Sequence, residues 1–375
     1  MKQFIRELPF YVISRIFKVL VFLFPKNRDI VIFRRDRLGD FVLWLGSAKQ
    51  LREYYSGRNI TLVCQSLNYE IAEKSGFFDQ IVIMNNDNER FFKALQLGCK
   101  LLIQPMYSRN NLDDWTCEII RADQKVAVDG DTANKTMLKP DTAKIYTRIL
   151  STPAESIPEI ERNQIVVNMI TQADNAILLA DLSFIQEDVP VDKPYFVVNL
   201  GASAPYKQWG IKYFAEAAKH IQSHCDLSCV LIGSKSEMKL ARDFCLTFGG
   251  RVHDFSGKTT VSEMISLIQH ARFVLTNDTS TVHIAAACQT PCVCAAPGFH
   301  YPRFTVYPSD KIQSRNQLPV FVTCHDTTCF GCCLRTESGL RNECLEDLRK
   351  NRPVQCVSGI SVEDFCNAAD RFANE

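Results

Sequence analysis

What the chain lacks narrows it first. It has no uncharged apolar run of the roughly 20 residues a membrane-spanning helix needs. It has no G-x-G-x-x-G after its first strand and no G-x-x-x-x-G-K-[ST] anywhere. A dinucleotide oxidoreductase and a P-loop NTPase are therefore both disfavoured. It has no charge excess, with 43 Lys and Arg against 42 Asp and Glu, so no global basic field draws it to nucleic acid. It shows no low-complexity tract and no helical-repeat period. It carries no cleavable signal peptide with a small-residue cleavage site. That points to the cytosol, where thiols stay reduced.

What is present is globular. Hydrophobic residues make up 46% and charged residues 23% of 375 positions, a length that suits two domains. The sixteen cysteines are the compositional excess. Ten are scattered, several in strand-like runs (Cys64, Cys229, Cys292, Cys294), where free cysteine behaves as a small core residue. Six crowd between Cys324 and Cys356. In a reducing compartment such a cluster reads as a metal site before a disulfide framework.

The N-terminal stretch "LPFYVISRIFKVLVFLF", Leu8 to Phe24, is apolar but broken by Arg15 and Lys18, three apart on one helical face. Lys2, Arg6, Lys26 and Arg28 flank it. The pattern predicts an amphipathic helix over 1–27 lying in a membrane interface, basic side toward anionic headgroups. A buried packing helix or an oligomer contact is the plainer alternative.

From residue 29 short β-rich runs alternate with helix-like stretches: Asp29–Phe33, Ile60–Cys64, Gln80–Met84, Leu101–Gln104 and Lys125–Val128. This is the signature of βα units on a parallel sheet. A proline-punctuated segment follows, about 130–192, in which Asn168–Ile185 can form a helix. The alternation then restarts with "YFVVNLGAS", "LSCVLIGS", "RFVLTND" and "PCVCAAPG" as strands. Two doubly wound α/β domains follow, over 28–185 and 186–323, with a Cys-rich segment and a C-terminal helix over 324–375.

Ligands in such sheets bind beyond the carboxyl ends of the strands. Three strand-end positions stand out. Gly39-Asp40 follows the first strand; Asp40 can cap a helix or act as a base. "GASAPYKQWG", Gly201 to Gly210, follows the strand opening the second domain, and Lys207 there can reach a phosphate or simply be solvated. "NDTSTVHIAA" places Asp278, Thr279 and Ser280 before an apolar helix, where any of them can be the N-cap. The positive end of that helix makes an anion site. Glu237, after "LIGS", can accept ribose hydroxyls or favour a helix N-terminus. Together these imply a nucleotide diphosphate held by the C-terminal domain.

"RRDRLGDFVLW", "NLGASAPYKQWG", "IGSKSE", "DFSGKTTVSEMISLIQHARFVLTNDTSTVHIAAA" and "CVSGISVEDF" resemble, in this order, glycosyltransferase family nine, the ADP-heptose:lipopolysaccharide heptosyltransferases. The resemblance runs over about residues 28–360. It implies a GT-B fold, two Rossmann-like domains facing a central cleft, and inverting transfer from a nucleotide sugar without a catalytic metal. It implies Asp40 as general base, Lys207 as the phosphate-binding lysine, and Asp278 with Thr279 as a backbone phosphate clamp beside Ser280. It implies Glu237 as the ribose-binding acid, His283 as the helix histidine near the donor, and Ser203 as a small hydroxyl near the donor phosphates. ADP-heptose is the implied donor, and a lipopolysaccharide core or related glycolipid the implied acceptor, at the cytoplasmic face of the inner membrane. With base and clamp on different domains, closure on binding is expected. Arg34 and Arg37 can bind an anionic acceptor or be solvated. Ala204 and Pro205 depart from the polar residues relatives often have there.

In the cysteine cluster, Cys329-x2-Cys332 has a chelating spacing, with Cys344 and Cys356 as a second pair. Four thiolates suit tetrahedral Zn²⁺ or iron. Family members that glycosylate autotransporter adhesins carry a four-cysteine iron site near the C-terminus, and this segment is similar. A protein acceptor is therefore the alternative to a glycolipid. A nucleotide-sugar epimerase on the same architecture and a metal-bound scaffold without turnover are the rival readings.

Overall fold

The computed structural model describes residues 2–154, 156–191, 194–312, 318–327, 329–333 and 342–373. The chain forms two units: residues 1–155 with 161–176, and residues 156–160 with 177–375.

The first unit contains β1 (Arg28–Phe33), β2 (Ile60–Cys64), β3 (Gln80–Ile83), β4 (Cys99–Gln104), β5 (Ala122–Val128) and β6 (Arg148–Leu150). They form one sheet in the order β3-β2-β1-β4-β5-β6. Every pairing is parallel. Ile30 to Phe33 of the central strand β1 are all buried, as a parallel strand covered on both faces requires. The helices are α1 (Lys2–Leu20), α2 (Leu38–Tyr54), α3 (Tyr69–Ser75), α4 (Arg90–Leu95), α5 (Asn111–Ile119) and α6 (Glu159–Thr171).

The second unit contains β7 (Tyr195–Asn199), β8 (Ser228–Ile232), β9 (Val252–Asp254), β10 (Val274–Asn277), β11 (Cys292–Ala295) and β12 (Val320–Val322). Their parallel order is β12-β11-β10-β7-β8-β9. The helices are α7 (Ile211–His224), α8 (Met238–Phe248), α9 (Val261–Gln269), α10 (Ser280–Ala287), α11 (Asn342–Lys350), α12 (Gln355–Ser358) and α13 (Val362–Ala373). On α7, Phe214, Ala217, Ala218 and Ile221 recur at helical spacing and are buried, the stripe that seats a helix on a sheet. Counted from its own first strand, this sheet repeats the order of the other. Both have the Rossmann order, which reverses between first and fourth strands: β1 and β4, then β7 and β10.

Three expectations need correction. The units part at Ala176 and Ile177, not at 185 and 186. The helix expected over Asn168–Ile185 is α6, which starts earlier and ends at Thr171. Gln172 turns left-handed at φ 56°, and the Asn168 side chain accepts the Asn175 N–H. Leu182 and Ile185 are buried without helix. Finally, 324–375 is no separate segment: Val354, Cys356, Val357, Phe365 and Phe372 complete the core of the second unit with Trp209 and Phe214.

The N-terminal stretch is helical, but its basic side faces protein. Arg15 and Lys18 both pair with Glu118 at the end of α5. Glu7, Ser14 and Val21 are buried, and Phe10 and Phe17 pack on Phe91. The exposed side is apolar, with Ile16 57%, Val19 72%, Phe22 73% and Leu23 78% exposed. No described helix is long and apolar enough to cross a membrane.

Candidate functional site

In the first unit the switch-point turn leaves β1 through Arg34 to Arg37 and enters α2. Arg37 is the N-cap residue and adopts extended backbone. Asp40 therefore occupies the third helical position, half-buried, where a carboxylate is favoured by the positive end of the helix. Arg34 fixes this turn from below. It is 1% exposed, ion-paired to Asp36 at 2.7 Å, and donates to the Asp40 backbone oxygen at 3.1 Å. Its guanidinium stacks on Trp44, 4.8 Å from the ring centre. The expectation that Arg34 meets an acceptor is thereby corrected: burial and these partners make it a support of the Asp40 turn. Arg37 is exposed at the mouth of the same turn.

In the second unit the switch point lies between β7 and β10. Two asparagines stitch the strand ends together. Asn277 accepts the Trp209 N–H at 2.7 Å and donates to the Leu200 oxygen at 2.8 Å. Asn199 accepts the Gly201 N–H at 2.9 Å and donates to Thr281 Oγ1 at 2.8 Å. On this frame sit most of the residues singled out in the sequence. Thr279 is the N-cap of α10, in extended backbone and without a side-chain cap. Ser280 opens the helix, whose first N–H groups have no intrahelical acceptor and suit an anion. Ser203 is exposed in the β7 turn.

The Asp278 side chain is 4% exposed and hydrogen-bonded to Nδ1 of His300. Nε2 of that same ring lies 3.1 Å from Lys207 Nζ. Burial pushes the Asp278 carboxyl up, but His300, His283 and Lys207 outweigh it and hold the group below the usual carboxylate range. His283, on α10, shares a hydrogen bond with the Tyr307 hydroxyl through Nδ1, 2.7 Å away. Burial lowers the His283 pKa to about 4, against Asp278, which raises it. At neutral pH it is an uncharged hydrogen-bonding group.

Glu237 closes the turn after β8. Its Oε2 accepts the Ser234 N–H at 2.6 Å and the Ser234 hydroxyl at 2.9 Å. Its other oxygen rests on Gly201, where any Cβ would collide with it. The absence of a side chain at Gly201 is what lets the carboxylate lie over the end of β7.

Sequence reasoning missed His300, Tyr307, Asn199 and Asn277. His300 had a signal, since it lies in the turn after β11 and so obeys the same strand-end rule. Tyr307 lies outside regular structure and had none.

The cysteines divide. None of the sixteen cysteines is in a disulfide. Cys333 turns to Ser156, and Cys324 packs on Gly359. Cys344 is pushed up by burial, then by Cys329 and Cys332, and hydrogen-bonds Cys329. Burial lifts Cys356 to about 11, while the N–H groups of Gly298 and Phe299 pull it down and Cys344 and Cys329 push it up. The four thiols named from spacing thus sense one another. Among the described residues, however, no three such side chains stand as a metal-holding group.

Two sheets of Rossmann order, each with polar groups gathered at its switch point, define an α/β protein of the GT-B class. Comparison with known proteins agrees. Residues 160–311 match the model of glycosyltransferase family 9 (heptosyltransferase). Lipooligosaccharide heptosyltransferase 2 of Haemophilus influenzae is 26% identical over 157 residues, 33% of this chain and 45% of that protein. The chain thus aligns with less than half the length of that curated relative. The structure of E. coli ADP-heptose LPS heptosyltransferase II superposes with a TM-score of 0.66 at 14% identity, over 92% of this chain and 98% of that one. The iron-containing dodecameric heptosyltransferase TibC of enterotoxigenic E. coli, in complex with ADP-D-beta-D-heptose, gives 0.58 at 14% identity, over 93% and 77%. Over residues 160–311, then, the chain is similar to glycosyltransferase family 9.

Proposed function

We propose that the protein transfers a heptose from ADP-heptose, with inversion, to a lipopolysaccharide core or related glycolipid. The observation that carries this is the β7/β10 switch point. There Lys207, the N-terminus of α10 and the Glu237 carboxylate over Gly201 offer a cation, backbone donors and an acceptor to one nucleotide diphosphate. As the sugar bond breaks, negative charge grows on the departing diphosphate. Lys207 and the α10 N–H groups stabilise that charge where it develops. Asp40 takes the proton of the attacking acceptor hydroxyl. Neutral His283 hydrogen-bonds the donor from its free ring nitrogen. Ser203 lies beside the donor phosphates, and Arg37 offers a cation to an anionic acceptor.

The donor site is tested by thermal shift with nucleotide sugars, because a ligand that binds only the folded state raises its melting temperature by mass action. ADP and ADP-heptose should stabilise the wild type and fail to stabilise Lys207→Ala. A wild type stabilised by neither contradicts the reading.

The exposed apolar side of α1 and of the turn after it supports a glycolipid acceptor at a membrane surface, with Ile16, Val19, Phe22 and Leu23 dipping into the interface. The Cys329, Cys332, Cys344 and Cys356 set supports the second reading, a protein acceptor, because the fold is shared with TibC, an iron-containing heptosyltransferase. Those four thiolates would hold Fe or Zn in a structural site. Elemental analysis of purified protein should find one equivalent per chain, lost in Cys344→Ser; metal-free protein removes this site.

A further inference from the structure

Lys207 is the cation of the proposed donor site, yet a lysine on a short turn has four flexible bonds and strong hydration. Something must hold its ammonium in place. Lys207 ends a single turn, Pro205–Lys207, and His300 Nε2 lies within hydrogen-bond reach of its Nζ, at 3.1 Å. An ammonium has three hydrogens and no lone pair, so it must be the donor. His300 Nε2 must then be the acceptor, which leaves the ring proton on Nδ1. That proton points at the buried Asp278 carboxylate. A single tautomer satisfies both contacts, and the carboxylate selects it.

The ring itself cannot swing. Phe299 and Phe304 meet it edge-on, with centroids at 4.7 and 5.2 Å. Its turn, Gly298–His300, is held from outside: the Gly331 N–H bonds the Gly298 oxygen at 3.0 Å, and Phe330 fills the space a Gly298 side chain would need. The His300 ring, fixed in this way, holds the Lys207 ammonium through one of its hydrogens.

We propose that His300 is a positioning residue for Lys207: an Asp278–His300–Lys207 chain orients the ammonium toward the leaving diphosphate before the donor arrives. This rests on the nucleotide-diphosphate reading of the β7/β10 switch point. Pre-orientation spares the cost of ordering the side chain on binding, so His300 acts on donor affinity through Lys207.

Two substitutions divide the ring's duties. His300→Asn keeps an N–H at the Nδ1 position for Asp278 and loses the acceptor for Lys207. His300→Gln reaches as far as Nε2 and offers Lys207 an amide oxygen. ADP affinity is measured calorimetrically on the full-length protein. His300→Asn should weaken ADP about tenfold, the worth of one charge-assisted hydrogen bond, and His300→Gln by less than about threefold. In a Lys207→Ala background, His300→Asn should change affinity less than about twofold. If Asn binds ADP as well as Gln does, or its full loss persists without Lys207, the positioning role is overturned. If wild type binds no ADP, or Lys207→Ala binds it normally, the donor-site reading itself falls.

Discussion

Single residues at the second switch point do more than one task, and their substitutions have separable signatures. His283 is buried with its pKa lowered to about 4, against about 6.5 for an unfolded chain. The unfolded state therefore takes up a proton that the folded state refuses. Stability from this group is fully present above about pH 6.5 and is lost as pH falls toward about 4, where the loss levels off. The span is worth about 3 kcal/mol. His283→Gln should flatten that part of the stability–pH curve, measured by urea unfolding between pH 4 and 7; an unchanged slope contradicts the assignment. Gly201→Ala forces a methyl into the Glu237 carboxylate. It should cost about 1–3 kcal/mol of stability and weaken ADP binding, whereas Gly57→Ala, whose Cβ meets nothing within 4 Å but whose φ of 77° strains an alanine, should cost stability and leave ADP binding unchanged. The sequence placed Asp40, Lys207, Glu237 and Asp278 correctly at strand ends, because a parallel sheet delivers its strand ends to one edge. It misplaced Arg34, because a guanidinium buried by an ion pair and an indole face looks like any other arginine in sequence.

At the scale of elements, α1 shows how period and partner can diverge. Arg15 and Lys18 share a face, and sequence alone turned that face toward headgroups. The structure turns it toward Glu118, which no pattern within α1 could reveal. What remains outward is apolar. Ile16→Glu with Val19→Glu removes two exposed aliphatic side chains, each worth about 1–2 kcal/mol on a membrane. Binding to anionic vesicles should fall more than about tenfold, while the melting temperature stays near that of wild type. Equal vesicle binding would count against membrane contact by this face. The strands were legible where β-branched runs were long, as in β1 and β2. The three-residue strands β6, β9 and β12 were not, since so short a run carries no period. The helix end at Thr171 was set by a left-handed Gln172, a residue type that gives no warning.

Across the whole molecule, the cysteine-rich segment is tied to the turns of the proposed donor site in its own unit. The Val354 N–H bonds the oxygen of Tyr206, the neighbour of Lys207, at 3.2 Å. Cys356 receives the N–H groups of Gly298 and Phe299, on the turn that carries His300. Cys356→Ala should therefore lower both melting temperature and ADP affinity; a variant that melts early yet binds ADP normally at low temperature would show that the segment only stabilises the fold. Spacing singled out four of the clustered thiols but could not show this connection, which depends on backbone groups nearly 60 residues away in sequence.

The proposed transfer stands or falls with Asp40 as its base. The direct measurement is ADP release from ADP-heptose with a lipopolysaccharide-core acceptor, comparing wild type with Asp40→Asn. Turnover should fall by at least about a hundredfold, while ADP affinity changes little. Retained turnover in Asp40→Asn would contradict it.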